Sequence, residues 1–191
     1  MQHLDRYLEG RVAVITGGFS GIGQSIGEAL AKHGAAIALG SRTILDDVAE
    51  ALQSQGRMVF SGQLDVRDPE SVQAFVDAAQ TALGPIDILV NSAGIGVSQT
   101  VCDHPEDSWN DVINTNLSGP FRLIRTCLPG MIERRWGRVI NIGSTAARIA
   151  VADHPAYCAS KSGLLGLSRA VALEGAPYGV TSVVLSPTWV E

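Results

Sequence analysis

The stretch RVAVIT, residues 11–16, runs straight into GGFSGIG, residues 17–23, and this junction decides the fold. Six residues rich in Val and Ile read as a short buried strand. The residues after the glycines, as far as His33, carry Ile22, Ile26, Ala29, Leu30 and Ala31 near one helical stripe, and Gly34 stops the pattern. A glycine cluster therefore lies between a strand and a helix. Glycine lets the backbone turn sharply there and come within contact distance of a ligand. The free N–H groups and positive end of the following helix then favour an anion, a diphosphate above all. Three residues separate Gly17 from Gly21, wider than in G-x-G-x-x-G, but the cluster lies at the junction this mechanism requires.

Outward from that junction the chain keeps alternating. Strand-like runs at 35–40, 58–64, 86–90, 138–142 and 180–185 are separated by helix-like segments at 44–55, 69–83, 105–128 and 155–175. The segment 69–83 opens with proline and places Val72, Phe75, Val76, Ala79 and Leu83 along one face. Six strands, each but the last followed by a helix, predict an α/β fold with a doubly wound, Rossmann-type parallel sheet. The near-continuous apolar strands agree, because parallel strands are covered on both faces. No repeat, linker or low-complexity stretch interrupts the pattern, so a single domain over 1–191 is expected.

Composition narrows the function. Fourteen Lys and Arg against nineteen Asp and Glu leave a net charge of −5, which argues against a nucleic-acid groove or an anionic-membrane footprint. No apolar run approaches the ~18 residues of a membrane helix, and the polar N-terminus lacks a signal peptide's apolar stretch. Cys102, Cys127 and Cys158 form no C-x-x-C pair, so a disulfide framework or zinc site is not expected and the chain reads as cytoplasmic. His3, His33, His104 and His154 show no ligand spacing, which argues against metal hydrolysis.

T-G-x-x-x-G-x-G after the first strand resembles the short-chain dehydrogenase/reductase family in its common single-domain subgroup. Further points carry the resemblance. Asn91-Ser92-Ala93-Gly94 is similar to the family's N-N-A-G, with Ser92 replacing an asparagine. Asn116 matches its helix asparagine, Ser144 its catalytic serine, and Tyr157 to Lys161 its Y-x-x-x-K. The chain has three tyrosines and only two lysines, Lys32 and Lys161, so a chance pairing at helical spacing has a probability of roughly 0.03.

The resemblance implies hydride transfer between NADP(H) or NAD(H) and a carbonyl or secondary alcohol of a small molecule. It assigns Tyr157 as acid/base and Lys161 as its electrostatic partner, and places both against the cofactor, Lys161 at the nicotinamide ribose. Ser144 donates to the substrate oxygen, and Asn116 holds a water in the proton relay. A phenol ordinarily ionises near pH 10, so base work near neutrality asks for ~4 kcal/mol of help, which a neighbouring ammonium supplies. Asn116 also has a plainer reading, as a polar residue that kinks or caps a long helix.

The cofactor site expected on the same grounds comprises Gly17, Ser20, Gly21, Ile22 and Gly23 of the turn and Ser41 and Arg42 after the second strand. Asp65 and Val66 resemble the family's adenine-contacting pair, although Asp65 could equally cap its loop. Asn91, Ala93 and Gly94 follow the fourth strand, and Pro187, Thr188 and Val190 lie near the chain's end. An acid ending the second strand would grip a ribose 2′-OH, whereas an arginine accommodates a 2′-phosphate. Here no carboxylate appears until Asp46, so NADP(H) is favoured, with NAD(H) as the alternative. Ser20 stands where the family's NADP-binding members often carry a base, which weakens that preference.

Thr188 replaces the family's glycine, and its seventh strand and substrate-covering lid have no counterpart in 191 residues. Either the chain is part of a longer polypeptide or it ends where a mobile lid begins, and both readings stand. A polypeptide ending here would bind nicotinamide weakly, because a site open to water loses electrostatic leverage. Two alternatives accompany the main reading: a 3-oxoacyl-thioester reductase of the same family, and a catalytically silent dinucleotide-binding sensor. The resemblance also implies a homodimer or homotetramer.

Overall fold

The computed structural model describes residues 6–188. Six strands, β1 (Val12–Thr16), β2 (Ala36–Ser41), β3 (Val59–Gln63), β4 (Ile88–Asn91), β5 (Gly137–Ile142) and β6 (Val180–Leu185), form one sheet. Every pair is parallel and the order is β3-β2-β1-β4-β5-β6. The expected doubly wound α/β fold is present. The strand order reverses direction between β1 and β4, and in open α/β sheets ligands bind in the crevice at such a switch point.

Alternation within the strands builds two cores. Val12 and Val14 of β1 face one side with Val72, Phe75 and Val76, while Ala13 and Ile15 face the other with Ile37 and Leu39. The first side is covered by α3 (Pro69–Leu83), α5 (Gly119–Glu133) and α7 (Pro155–Gly175); α1 (Gly21–Lys32) and α2 (Asp46–Ser54) cover the second. On that second side β6 is bare among the described residues, with Val183 46% and Leu185 49% exposed. No helix among the described residues is long and apolar enough to cross a membrane.

Two differences from the sequence reading concern helices. The long helix expected over 105–128 is α4 (Glu106–Ile113), a π-helical turn (Asn114–Ser118) and then α5, which continues through Pro129 to Glu133. Proline there forfeits one hydrogen bond, but Leu123, Ile124, Cys127 and Met131 form a buried stripe spanning it, and packing overrides local propensity. A short α6 (Ala146–Ile149) after β5 was not expected.

Candidate active site

A cleft of about 630 Å3 opens above the carboxyl ends of the strands. Its floor is the turn between β1 and α1, and Gly17, Ser20, Gly21, Ile22 and Gly23 all line it. Gly17 has φ +65°, and a Cβ there would stand 3.1 Å from the Ala93 backbone. At Gly23 a Cβ would overlap the Gly17 carbonyl oxygen. The turn is thus closed tightly on itself and against the loop after β4. Thr16 Oγ1 fastens that loop by accepting from Ser92 N and Ala93 N, each at 3.0 Å. The Ser20 side chain makes no capping bond at the amino end of α1, so first-turn N–H groups are left for an anion.

The catalytic candidates gather at the other end. Ser144, Tyr157 and Lys161 line the cleft together. Ser144 Oγ accepts from Ala146 N at 3.1 Å, which leaves its hydroxyl proton to donate. Tyr157 and Lys161 lie one turn apart on α7, with the ammonium 5.6 Å from the phenol ring centroid. Lys161 is 5% exposed and donates to the Ile142 carbonyl at 2.7 Å. A buried lysine held by a backbone carbonyl, with no carboxylate bound to it among the described residues, serves something other than an ion pair.

Burial pushes the Lys161 ammonium down from its ordinary 10.5 to about 8. Between those values the unfolded chain holds a proton that the folded chain has released, so this group's contribution to stability improves as pH rises from about 8 to 10.5. Catalysis has the opposite sign, because a neutral lysine no longer favours phenolate. For carbonyl reduction, kcat/KM is expected to fall with a midpoint near pH 8. A rate profile measured from pH 6 to 10 checks this; a flat profile contradicts it.

Asn116 is buried in the π-helical turn. Its Oδ1 accepts from Ile95 N at 2.8 Å, and its Nδ2 donates to Ile95 O at 2.8 Å and to Ser160 Oγ at 3.1 Å. The amide therefore clamps the loop after β4 to α7, and only the second lone pair of Oδ1 is left for a water. Asn91 does not line the cleft either. It is buried and donates to Asn141 Oδ1 at 2.8 Å, tying β4 to β5. Ala93 and Gly94 do line the cleft, as do Pro187 and Thr188, whereas Val190 lies outside the described residues. His154 precedes α7 and its Nδ1 contacts Ala152 O at 2.9 Å.

At the end of the cleft beside β2 and β3, Ser41, Arg42, Asp65 and Val66 line the wall. Arg67 joins them, and sequence reasoning missed it. Asp65 is both a cleft residue and a loop cap, since its Oδ1 accepts from Arg67 N at 2.9 Å. The side-chain hydrogen bond from Arg67 holds the Asp65 carboxyl below its ordinary value, against the opposing effect of burial.

A glycine cradle that a Cβ would fill, an uncapped helix end and a serine–tyrosine–lysine group in one cleft fit a dinucleotide and a carbonyl. This combination defines a nicotinamide-dependent oxidoreductase built on a doubly wound sheet. The family described as short chain dehydrogenase matches residues 11–191, and the chain belongs to it. A protein named as a ketoacyl reductase of monensin polyketide synthase from Streptomyces virginiae is 43% identical over 185 residues, 95% of this chain and 71% of that one. The 3-oxoacyl-(acyl-carrier-protein) reductase FabG of Vibrio harveyi is 37% identical over 184 residues, 96% of this chain and 75% of its own. The solved structure of NAD+-bound xylitol dehydrogenase superposes with a TM-score of 0.92 at 31% identity, covering 96% of this chain and 72% of that one. The protein is an NAD(P)-dependent oxidoreductase, and the silent-sensor alternative gives way to an enzyme.

Proposed function

We propose that the protein reduces a carbonyl to a secondary alcohol with NADPH, using Tyr157 as acid, Ser144 as donor to the substrate oxygen and Lys161 as the charge that supports phenolate. The observation that carries this reading is the Lys161 ammonium, buried in the cleft and aimed by the Ile142 carbonyl at 2.7 Å. When bound, the nicotinamide supplies or takes the hydride. The residues of this chain do the rest. The 17–23 turn and the amino end of α1 hold the diphosphate, Ser144 and Tyr157 share the carbonyl oxygen, and Tyr157 gives it a proton. Lys161 offsets the negative charge left on the phenol oxygen. Asn116 keeps the Ile95 loop and α7 in register beneath these groups.

The NADPH preference rests on Ser41 and Arg42, which line the cleft, and on the first acid after β2 being Asp46 at the start of α2. An exposed guanidinium there suits a 2′-phosphate, and a charge-assisted contact of this kind is worth about 1.5–3 kcal/mol. NADPH is therefore expected to bind at least about tenfold more tightly than NADH, and Arg42→Ala to remove most of that ratio. Fluorescence titration of the two reduced dinucleotides measures both. Equal affinities in the native protein overturn the preference.

A narrower substrate class, the 3-oxoacyl thioester, is supported by the names of the 43% and 37% identical relatives. Initial rates with a 3-oxoacyl thioester, a simple ketone and a ketose separate the two readings. Thioester preference selects the narrower one.

A further inference from the structure

We propose that Arg67 sets the protein's selectivity for adenine by holding the Asp65 carboxylate in a single orientation. This rests on the reading that Asp65 meets the base of the cofactor. The guanidinium is a fork with five donors in one plane. Its Nε donates to Asp65 Oδ1 at 3.0 Å and Oδ2 at 3.2 Å, and Nη2 to Oδ2 at 2.8 Å. On the far side Nη1 reaches Asp111 Oδ1 of α4 at 3.0 Å. Arg67 N also donates to the carboxylate, at Oδ1, at 2.9 Å, and Ser71 Oγ of α3 holds the Asp65 backbone by accepting from its N–H at 3.0 Å.

A carboxylate offers about four lone-pair directions. Three protons reach it: Arg67 N–H on Oδ1, Nη2–H on Oδ2 and the single Nε–H shared between the two oxygens. One acceptor direction is left, in a side chain 31% exposed at the cleft wall. An ionised acceptor of fixed direction welcomes an N–H donor and repels a carbonyl oxygen. Adenine presents an exocyclic amino group where hypoxanthine presents a carbonyl, so an acceptor held toward that ring position favours adenine. Arg67 acts through Asp65 and is a positioning residue. A second arginine supports the same loop: Arg122 Nη1 donates to Val66 O at 3.3 Å and its Nη2 to Asn114 Oδ1 at 3.4 Å, pinning the loop to the π-helical turn.

The test uses the whole chain and equilibrium binding. Reduced nicotinamide adenine dinucleotide phosphate and its hypoxanthine counterpart are titrated by nicotinamide fluorescence against the native protein, Arg67→Met, Arg67→Lys and Asp111→Asn. The native protein is expected to prefer adenine by at least about tenfold, as one charge-assisted hydrogen bond allows. In Arg67→Met the preference falls below about threefold. Arg67→Lys keeps the charge without the fork and falls in the same direction, whereas Asp111→Asn keeps the Asp65 contact and the preference. A merely structural or electrostatic role for Arg67 weakens both dinucleotides equally and leaves the ratio alone. An unchanged ratio in Arg67→Met and Arg67→Lys, beside a native preference for adenine, overturns the role of Arg67 and spares that of Asp65. A native protein indifferent to the base overturns the Asp65 reading, and the proposal with it.

Discussion

Tyr157→Phe is expected to lower kcat/KM for carbonyl reduction by about a thousandfold while NADPH affinity changes less than about twofold. The substitution deletes one oxygen. The ring stays on α7, one turn from Lys161, and the Lys161 bond to Ile142 does not depend on the phenol. What is lost is the proton that the product oxygen must receive, and general acid catalysis by a positioned side chain contributes about 10²–10⁴-fold. Because Ser144 remains to polarise the carbonyl, a residual rate is expected rather than none. Steady-state rates and a fluorescence titration on the same preparation decide it. A variant with near-native turnover removes Tyr157 from the chemistry; one that loses NADPH as well assigns it to binding.

Gly23→Val carries the second large effect and strikes the other end of the cleft. A Cβ at Gly23 overlaps the Gly17 carbonyl oxygen, and Ser92 Oγ would lie 3.1 Å away. A carbonyl in a closed turn cannot yield like the tip of a side chain, so the turn itself must open. Crowding of this kind costs about 1–3 kcal/mol, and here the cost falls on the backbone meant to hold a diphosphate. NADPH affinity should drop by about 10- to 100-fold. Gly166→Ala is the contrast, because a Cβ on that glycine of α7 meets nothing within 4 Å. There binding is unchanged and thermal stability rises slightly, alanine being the better helix former by about 1 kcal/mol. Equal NADPH affinity in Gly23→Val and the native chain would show that the diphosphate does not lie on this turn.

Much of this architecture is legible in the chain because the physics is local. A parallel strand buried on both faces must be an apolar run, and RVAVIT or IDILV could hardly be anything else between glycines and helices. The helix over 69–83 announces both ends: Asp68 accepts from Glu70 N at its start, and Gly84 with φ +100° stops it. The candidate catalytic group is legible for the same reason, since Tyr157 and Lys161 are helical neighbours and Ser144 closely follows β5.

The parts that stayed hidden depend on distant partners. Arg67 and Asp111 are 44 residues apart, and nothing near either foretells their meeting. Asn91 and Asn141 are 50 apart, and their pairing ties β4 to β5. The π-helical turn contains neither glycine nor proline in NTNLS; the Asn116 bonds to Ile95 and Ser160 accompany it, and these too are long-range. Pro129 misleads in the other direction, since a local breaker is overruled by a buried stripe that spans it.

The central claim is that this cleft moves a hydride from a nicotinamide to a carbonyl carbon, with Tyr157 completing the alcohol. The most direct measurement supplies NADPH deuterated at the transferable position of the nicotinamide, together with a 3-oxoacyl thioester, and reads the product by mass spectrometry. The native chain should yield a 3-hydroxyacyl product with one deuterium on the carbinol carbon, and Tyr157→Phe almost none in the same time. An alcohol formed without that deuterium, or formed equally by the variant, would contradict the account.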